Sequence, residues 1–205
     1  MFKPALFKIR SLCLLGLLGA TAPLPLWGER PVDWVDPLTD THQSRWFYFN
    51  SASRPFGLVN LSPDTQTKGS WVSGYLYDDT HIRCFSHLHG WQLSGLPVMP
   101  IVGEMSGHLG MDVYQSPFSH EDEVVAPGYH KVVLRKYGIT AELTSTARVG
   151  FHRYTFPKTD DAYVIFDLSA YLGHSAVQVA EIKQVSPTEI EGVSIMEGTR
   201  RRKMP

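Results

Sequence analysis

The chain has 205 residues, enough for one large domain with a sizeable core. Hydrophobic residues make up 43% and charged residues 19%, the balance of an ordinary globular protein rather than a disordered one. With 19 basic against 20 acidic residues, no basic surface is large enough for nucleic acid.

The first segment stands apart. Lys3, Lys8 and Arg10 form a positive region, residues 11–22 are apolar and Leu-rich, and Ala20-Thr21-Ala22 is an A-x-A pattern. This is the layout of a secretory signal peptide. Pro23 disfavours a cut after Ala22, so the expected boundary lies near Gly28. The apolar run, about a dozen residues, falls short of the roughly 20 that span a bilayer. A short membrane anchor is the alternative. The expectation is a signal over 1–28, export to the periplasm or beyond, and a domain over 29–205 with no membrane attachment after removal. Cys13 falls inside the signal, which leaves Cys84 without a partner for a disulfide. In its apolar setting Cys84 reads as a small buried hydrophobe rather than a nucleophile.

Residues 57–61 and 98–102 read as strands. Between them, residues 62–95 are rich in Gly, Trp, Tyr, His and Asp without sustained alternation, which is the character of binding loops on a rigid scaffold. Glu121-Asp122-Glu123 reads as a solvated acidic loop. Residues 129–136 form a strand, with Tyr137-Gly138 at the turn that follows. From Ile139 the pattern alternates strictly. Ile139, Ala141, Leu143, Ser145 and Ala147 share one face, and Thr140, Glu142, Thr144, Thr146 and Arg148 the other. Residues 151–156, closed by Pro157, complete an antiparallel meander. Residues 162–168 are compact and apolar, as in a central strand. Residues 176–185 and 189–196 continue the pattern. No helical periodicity persists beyond about two turns. The fold class is all-β, a sandwich or barrel.

His87-Leu88-His89 on a strand would place both imidazoles on one face, as at the edge of a metal site. Further ligands are not signalled at motif spacing, and two histidines hydrogen-bonded in a polar pocket are the alternative. Asp78 and Asp79 point to opposite faces if extended, so they make a poor acid/base pair. One is expected to cap a turn and the other to hold a polar ligand or a backbone group. Arg54 is placed to reach a ligand or to pair with an acid. There is no G-x-S-x-G elbow, no phosphate-cradling Gly loop and no H-E-x-x-H helix. The residues alone describe an exported, binding-competent β domain with no assigned catalytic role.

Several segments in order carry a family resemblance. They are Val35-Asp36-Pro37, Arg54-Pro55-Phe56-Gly57, Val59-Asn60-Leu61-Ser62-Pro63-Asp64-Thr65 and Gly74-Tyr75-Leu76-Tyr77-Asp78-Asp79. Then come Phe85-Ser86-His87-Leu88-His89, Ser116-Pro117-Phe118-Ser119-His120-Glu121, Pro127-Gly128-Tyr129-His130 and Gly150-Phe151-His152-Arg153-Tyr154-Thr155-Phe156-Pro157. This order resembles the N-terminal domain of glycoside hydrolase family 92, the calcium-dependent exo-α-mannosidases. The resemblance implies an antiparallel β-sandwich packed against a larger (α/α)-barrel. That second domain holds the acid, the base and most calcium ligands, and the sandwich lends loops to a mannose pocket.

By matched position the substrate-binding candidates are His87, His89, Trp91, Asp64 and Asp79, with no catalytic or metal-binding residue assigned to this chain. The implied partners are a mannose-containing glycan and the catalytic domain missing from this sequence, or a separately encoded equivalent. Residues 43–50 and 90–95 depart from the family pattern in expected pocket loops. A free-standing carbohydrate-binding module or a non-functional fragment is the alternative.

Overall fold

A computed structural model of the chain describes residues 29–42, 52–69, 73–89, 93 and 95–196. The expected signal segment, Trp91, residues 43–50 and the basic C-terminus lie outside the described residues.

The strands are short and arranged in chain order as β1 (Ala52–Ser53), β2 (Asn60–Asp64), β3 (His81–Ile82), β4 (Cys84–Ser86), β5 (Val98–Val102), β6 (Ser116–Pro117) and β7 (Val124–Ala126). They continue as β8 (Tyr129–Leu134), β9 (Ile139–Ser145), β10 (Gly150–Thr155), β11 (Ala162–Phe166), β12 (Tyr171–Leu172), β13 (Ser175–Ser186) and β14 (Glu189–Met196). Among the described residues one four-residue α-helix, Met111–Tyr114, interrupts them. No described helix is long and apolar enough to cross a membrane.

Two sheets make the sandwich. One runs β1-β2-β4-β5-β11 and the other β10-β9-β8-β7, with every pairing antiparallel. The expected meander is present as β8–β9–β10. Gly138 at its first turn takes a φ of 64°, a left-handed conformation that glycine adopts without a side-chain clash. The alternation then does what it predicts. Val132, Leu134, Ile139, Ala141 and Leu143 face inward against Leu61, Phe85, Met99, Ile101 and Ile165 of the other sheet. Cys84 is fully buried beside Asp64, and burial followed by that carboxylate pushes its thiol well above the usual range.

Four expectations change. β2 begins at Asn60 rather than at residue 57, because the Gly57 amide closes a turn onto the Arg54 carbonyl, with Phe56 at a φ of 59°. β9 ends at Ser145, because the Thr146 hydroxyl accepts from the Arg148 and Val149 amides and turns the chain. Residues 162–168 do not form a central strand. Among the described residues β11 is a sheet edge, with Tyr163 and Ile165 toward the core and Val164 and Phe166 exposed. Residues 62–95 are not all loop, since they contain β3, β4 and most of β2.

Pro63 hid the second half of β2, yet it pairs in register with Phe85 of β4. Residues 98–102 form β5 as expected, with Pro100 opposite Val164 of β11.

Candidate functional site

Polar side chains gather where β2 and β4 run side by side. Asp64 pairs in register with Cys84, and Ser62 with Ser86. His89 follows β4 by three residues and folds back over β2. Its Nδ1 lies 2.6 Å from the Asn60 carbonyl and its Nε2 2.6 Å from Asp64 Oδ1. Both partners are acceptors, so both ring nitrogens donate and the imidazole is charged. The pair is closed off from water, with side-chain exposures of 2% and 0%. Asn60 completes the clasp by donating from Nδ2 to the His89 carbonyl at 2.9 Å. The cluster fixes the path of the chain immediately before residue 90.

His87 turns the other way, across the sandwich. Its Nε2 meets His152 Nε2 of β10 at 2.8 Å, and His152 Nδ1 meets the Tyr154 hydroxyl at 2.7 Å. A backbone hydrogen bond ties His87 to Leu96. One arrangement of protons satisfies all of it. Tyr154 donates to His152, His152 donates to His87, and His87 donates to the Leu96 carbonyl, with both imidazoles neutral. Burial, then the charge of His89, lowers the His87 pKa, while Asp64 and the Leu96 bond pull against this. Burial, then His87, lowers that of His152 to about 4.

Gly150 lets the rings meet. A Cβ there would lie 2.7 Å from His87 Cδ2. Gly150→Ala is therefore expected to push His87 off His152 and cost about 1–3 kcal/mol. Urea unfolding checks this. In a His87→Ala background the same substitution is expected to cost far less, and an equal cost would locate the clash elsewhere.

A third cluster surrounds Glu123. Its carboxylate accepts from the Tyr75 hydroxyl at 2.9 Å, from His120 Nδ1 at 2.5 Å and from His130 Nε2 at 2.8 Å. Burial pushes its pKa up, but the bonds from His130, His120 and Tyr75 outweigh burial and hold it below the usual value. His120 Nε2 reaches the Tyr77 carbonyl at 2.8 Å, so this ring too faces two acceptors and is charged. It stacks on Tyr77 with centroids 3.9 Å apart. Glu123 is 3% exposed, so the acidic run is not a solvated loop throughout. Glu121 and Asp122 face water and pair with Arg135, while Glu123 turns inward. A groove of about 380 Å³ lies beside His120, with Tyr77, Asp78, Asp79, Phe118 and Glu121 along it.

The sequence candidates thus separate. Asp64 and His89 form one buried ion pair. His87 is adjacent but joined to His152, so the two histidines of the His-x-His do not share a strand face. They follow β4 and diverge. Asp79 lies at the His120 groove, where it accepts from Gln66 Nε2 at 2.9 Å, and Asp78 pairs with His42. Trp91 lies outside the described residues. His152, Glu123, His130 and Tyr75 were not among the candidates. Alternation carried part of the signal, because Gly150, His152 and Tyr154 share the inward face of β10 and His130 the inward face of β8.

These residues do not fit a calcium ion. Calcium takes six to eight oxygen ligands, whereas Asp64 is held by His89 and Cys84, and Glu123 by two histidines and a tyrosine. Among the described residues no three His, Cys, Asp or Glu side chains converge as metal ligands. The buried carboxylates Asp64, Glu123 and Asp167 are each tied to a donor, so none is presented as an acid or base.

Fold and site together define a two-sheet antiparallel β-sandwich with histidine-rich polar clusters at its loops. The glycosyl hydrolase family 92 N-terminal domain matches residues 34–204, and the chain belongs to that family. Among solved structures it is similar to the family 92 α-mannosidase BT3965 from Bacteroides thetaiotaomicron, at 30% identity and a TM-score of 0.72, over 82% of this chain and 24% of that one. The same enzyme in complex with mannoimidazole aligns at 28% identity and a TM-score of 0.71, over 82% and 23%. The family 92 glycosyl hydrolase ccman5 aligns at 25% identity and a TM-score of 0.61, over 74% and 22%. The chain spans about a quarter of the length of these enzymes. No curated protein matches the chain significantly.

Proposed function

We propose that this chain is the pocket-contributing N-terminal domain of an exo-α-mannosidase acting on mannose-terminated glycans, and that it is inactive without a catalytic partner. The acid, the base and the calcium ligands would come from an (α/α)-barrel domain, on the same polypeptide or separately encoded. The observation that carries this reading is the His89–Asp64–Asn60 clasp together with His87. It anchors the chain directly ahead of Trp91, the residue suited to stack on a sugar face. Asp79, at the edge of the His120 groove, is the accessible polar candidate, while His87, His89 and Asp64, whose polar atoms are already bonded, act by positioning the loop. Export after removal of residues 1–28 is part of the proposal, and N-terminal sequencing of the secreted product checks it.

The purified chain with calcium is expected to give no turnover of aryl α-mannosides. Turnover at an ordinary enzymatic rate would defeat the claim of inactivity alone. Calorimetry with mannose and mannobiose separates this reading from a free-standing binding module. A pocket completed by another domain should bind weakly, because half its polar partners are absent. Micromolar binding would favour the module.

A further inference from the structure

The outward face of the meander carries an arrangement that the core does not require. Register places Tyr129, Thr144 and Phe151 in one row across β8, β9 and β10, and Lys131, Glu142 and Arg153 in the next. β10 is inverted relative to ordinary patterning. Phe151 faces solvent, 54% exposed, while His152 and Tyr154 face the core. Leaving a phenylalanine out costs about 1.5–3 kcal/mol of unrealised burial.

The polar groups beside Phe151 are already held in place. Arg153 donates from Nε to Glu142 Oε2 at 2.6 Å and from Nη2 to Oε1, and the Tyr129 hydroxyl donates to the same Oε1 at 2.7 Å. Hydrogen bonds from Arg153 and then Tyr129 lower the Glu142 pKa to about 2. The Thr144 hydroxyl donates to the Gly128 carbonyl at 2.7 Å. A depression of about 270 Å³ opens between Tyr129, Glu142, Thr144, Phe151 and Arg153.

We propose that this face is a glycan-binding surface, separate from the loop site, that takes two adjacent sugar rings of an extended glycan bearing acidic groups. Tyr129 and Phe151 stand two strands apart, about 10 Å by strand spacing, the reach of two linked pyranose rings. Apolar sugar faces rest on the aromatic rings, and sugar hydroxyls accept from the outer N–H groups of Arg153, whose side chain is 75% exposed. Arg153 and Lys131 flank a single carboxylate, so one positive charge remains beside the rings. That charge favours a phosphorylated or uronate-bearing glycan over its neutral counterpart. Because the rotamers are fixed beforehand, little ordering entropy opposes binding.

The surface rests on the mannosidase reading only in the choice of mannan as the first probe. Affinity gel electrophoresis of the full chain in neutral mannan, phosphorylated mannan and polygalacturonate tests it. Retardation is expected in phosphorylated mannan, weaker in the neutral form. Phe151→Ala is expected to raise the apparent dissociation constant at least tenfold, with Phe151→Trp restoring it, and Arg153→Gln to abolish the preference for the phosphorylated form. Phe151 is exposed, so the variant should keep the parent melting temperature, which is measured alongside. Equal retardation of Phe151→Ala and the parent would overturn the surface. So would an absence of retardation by all three glycans. Phe151-dependent binding to polygalacturonate alone would keep the surface and remove the mannose assignment.

Discussion

Replacing Asp64 by alanine is expected to destabilise the domain by about 3–5 kcal/mol, the largest single effect outside the apolar core. His89 is charged because both its nitrogens donate, and with Asp64 gone that charge would stand buried with the Asn60 carbonyl and the neutral Ser86 hydroxyl, 3.3 Å from Nε2, in place of a carboxylate. Its side chain is 2% exposed, so water cannot replace the carboxylate without opening the β2–β4 edge. For a domain of this length each kcal/mol lowers the melting temperature by about 2–4 °C, so the loss would be plain in a thermal scan. Urea unfolding gives the free energy. Removing both charges is expected to be gentler. Asp64→Leu with His89→Leu replaces the pair by apolar groups, and buried pairs exchanged in this way are often close to neutral. A cost below about 1 kcal/mol for Asp64→Ala would mean that His89 is neutral and one of its two short contacts is not a hydrogen bond.

The second large effect is acid sensitivity seated in the His87–His152 pair. The folded pKa of His152 is lowered to about 4 from an ordinary 6.5, by burial and then by His87. Between those values the unfolded chain binds a proton that the folded chain does not, so stability falls as pH drops from 6.5 toward 4. The size is about 3 kcal/mol at 1.36 kcal/mol per pH unit, and His87 is shifted in the same direction. Glu123 acts in a lower window. Its folded pKa is depressed, so its contribution is present above the ordinary 4.5 and is lost as pH falls through the folded value. Urea midpoints measured from pH 7 to pH 4 report the first window. His152→Gln keeps a hydrogen-bonding side chain without a titrating one and is expected to flatten that slope. An unchanged slope in His152→Gln would remove the pair as its source.

Regular patterns made the second half of the fold legible. Strict alternation from Ile139, a turn glycine at 138 and a closing proline at 157 specify the meander, and β13 and β14 fall within a residue of the expected segments. The first half was harder for a physical reason. β3 and β4 have two and three residues, too few to show a period, and Pro63 interrupts β2. The apolar run at 162–168 suggested a central strand, but composition does not reveal whether a neighbour lies on both sides.

At the site, the motifs marked His87, His89, Asp64 and Asp79 without revealing how they pair. The spacing of His87 and His89 suggested one face, whereas the backbone leaves the strand after Ser86 and sends the rings apart. The partners of these residues are remote in sequence. His152 comes 65 residues after His87, and Tyr75 48 residues before Glu123, so local spacing could not announce them.

The β13–β14 hairpin has one further consequence. Its ladder is long, running from Val177 with Met196 to Ser186 with Glu189, yet most of its residues are exposed on both faces, including Val179, Ile182, Val185, Ile190, Val193 and Ile195. Among the described residues its amides are held by hydrogen bonds with no buried core beneath them. Those of Val132, Ala141 and Leu143 lie over a closed core. In deuterated water the hairpin amides should therefore exchange through local opening at free energies well below that of global unfolding, and the meander amides only when the whole sandwich comes apart.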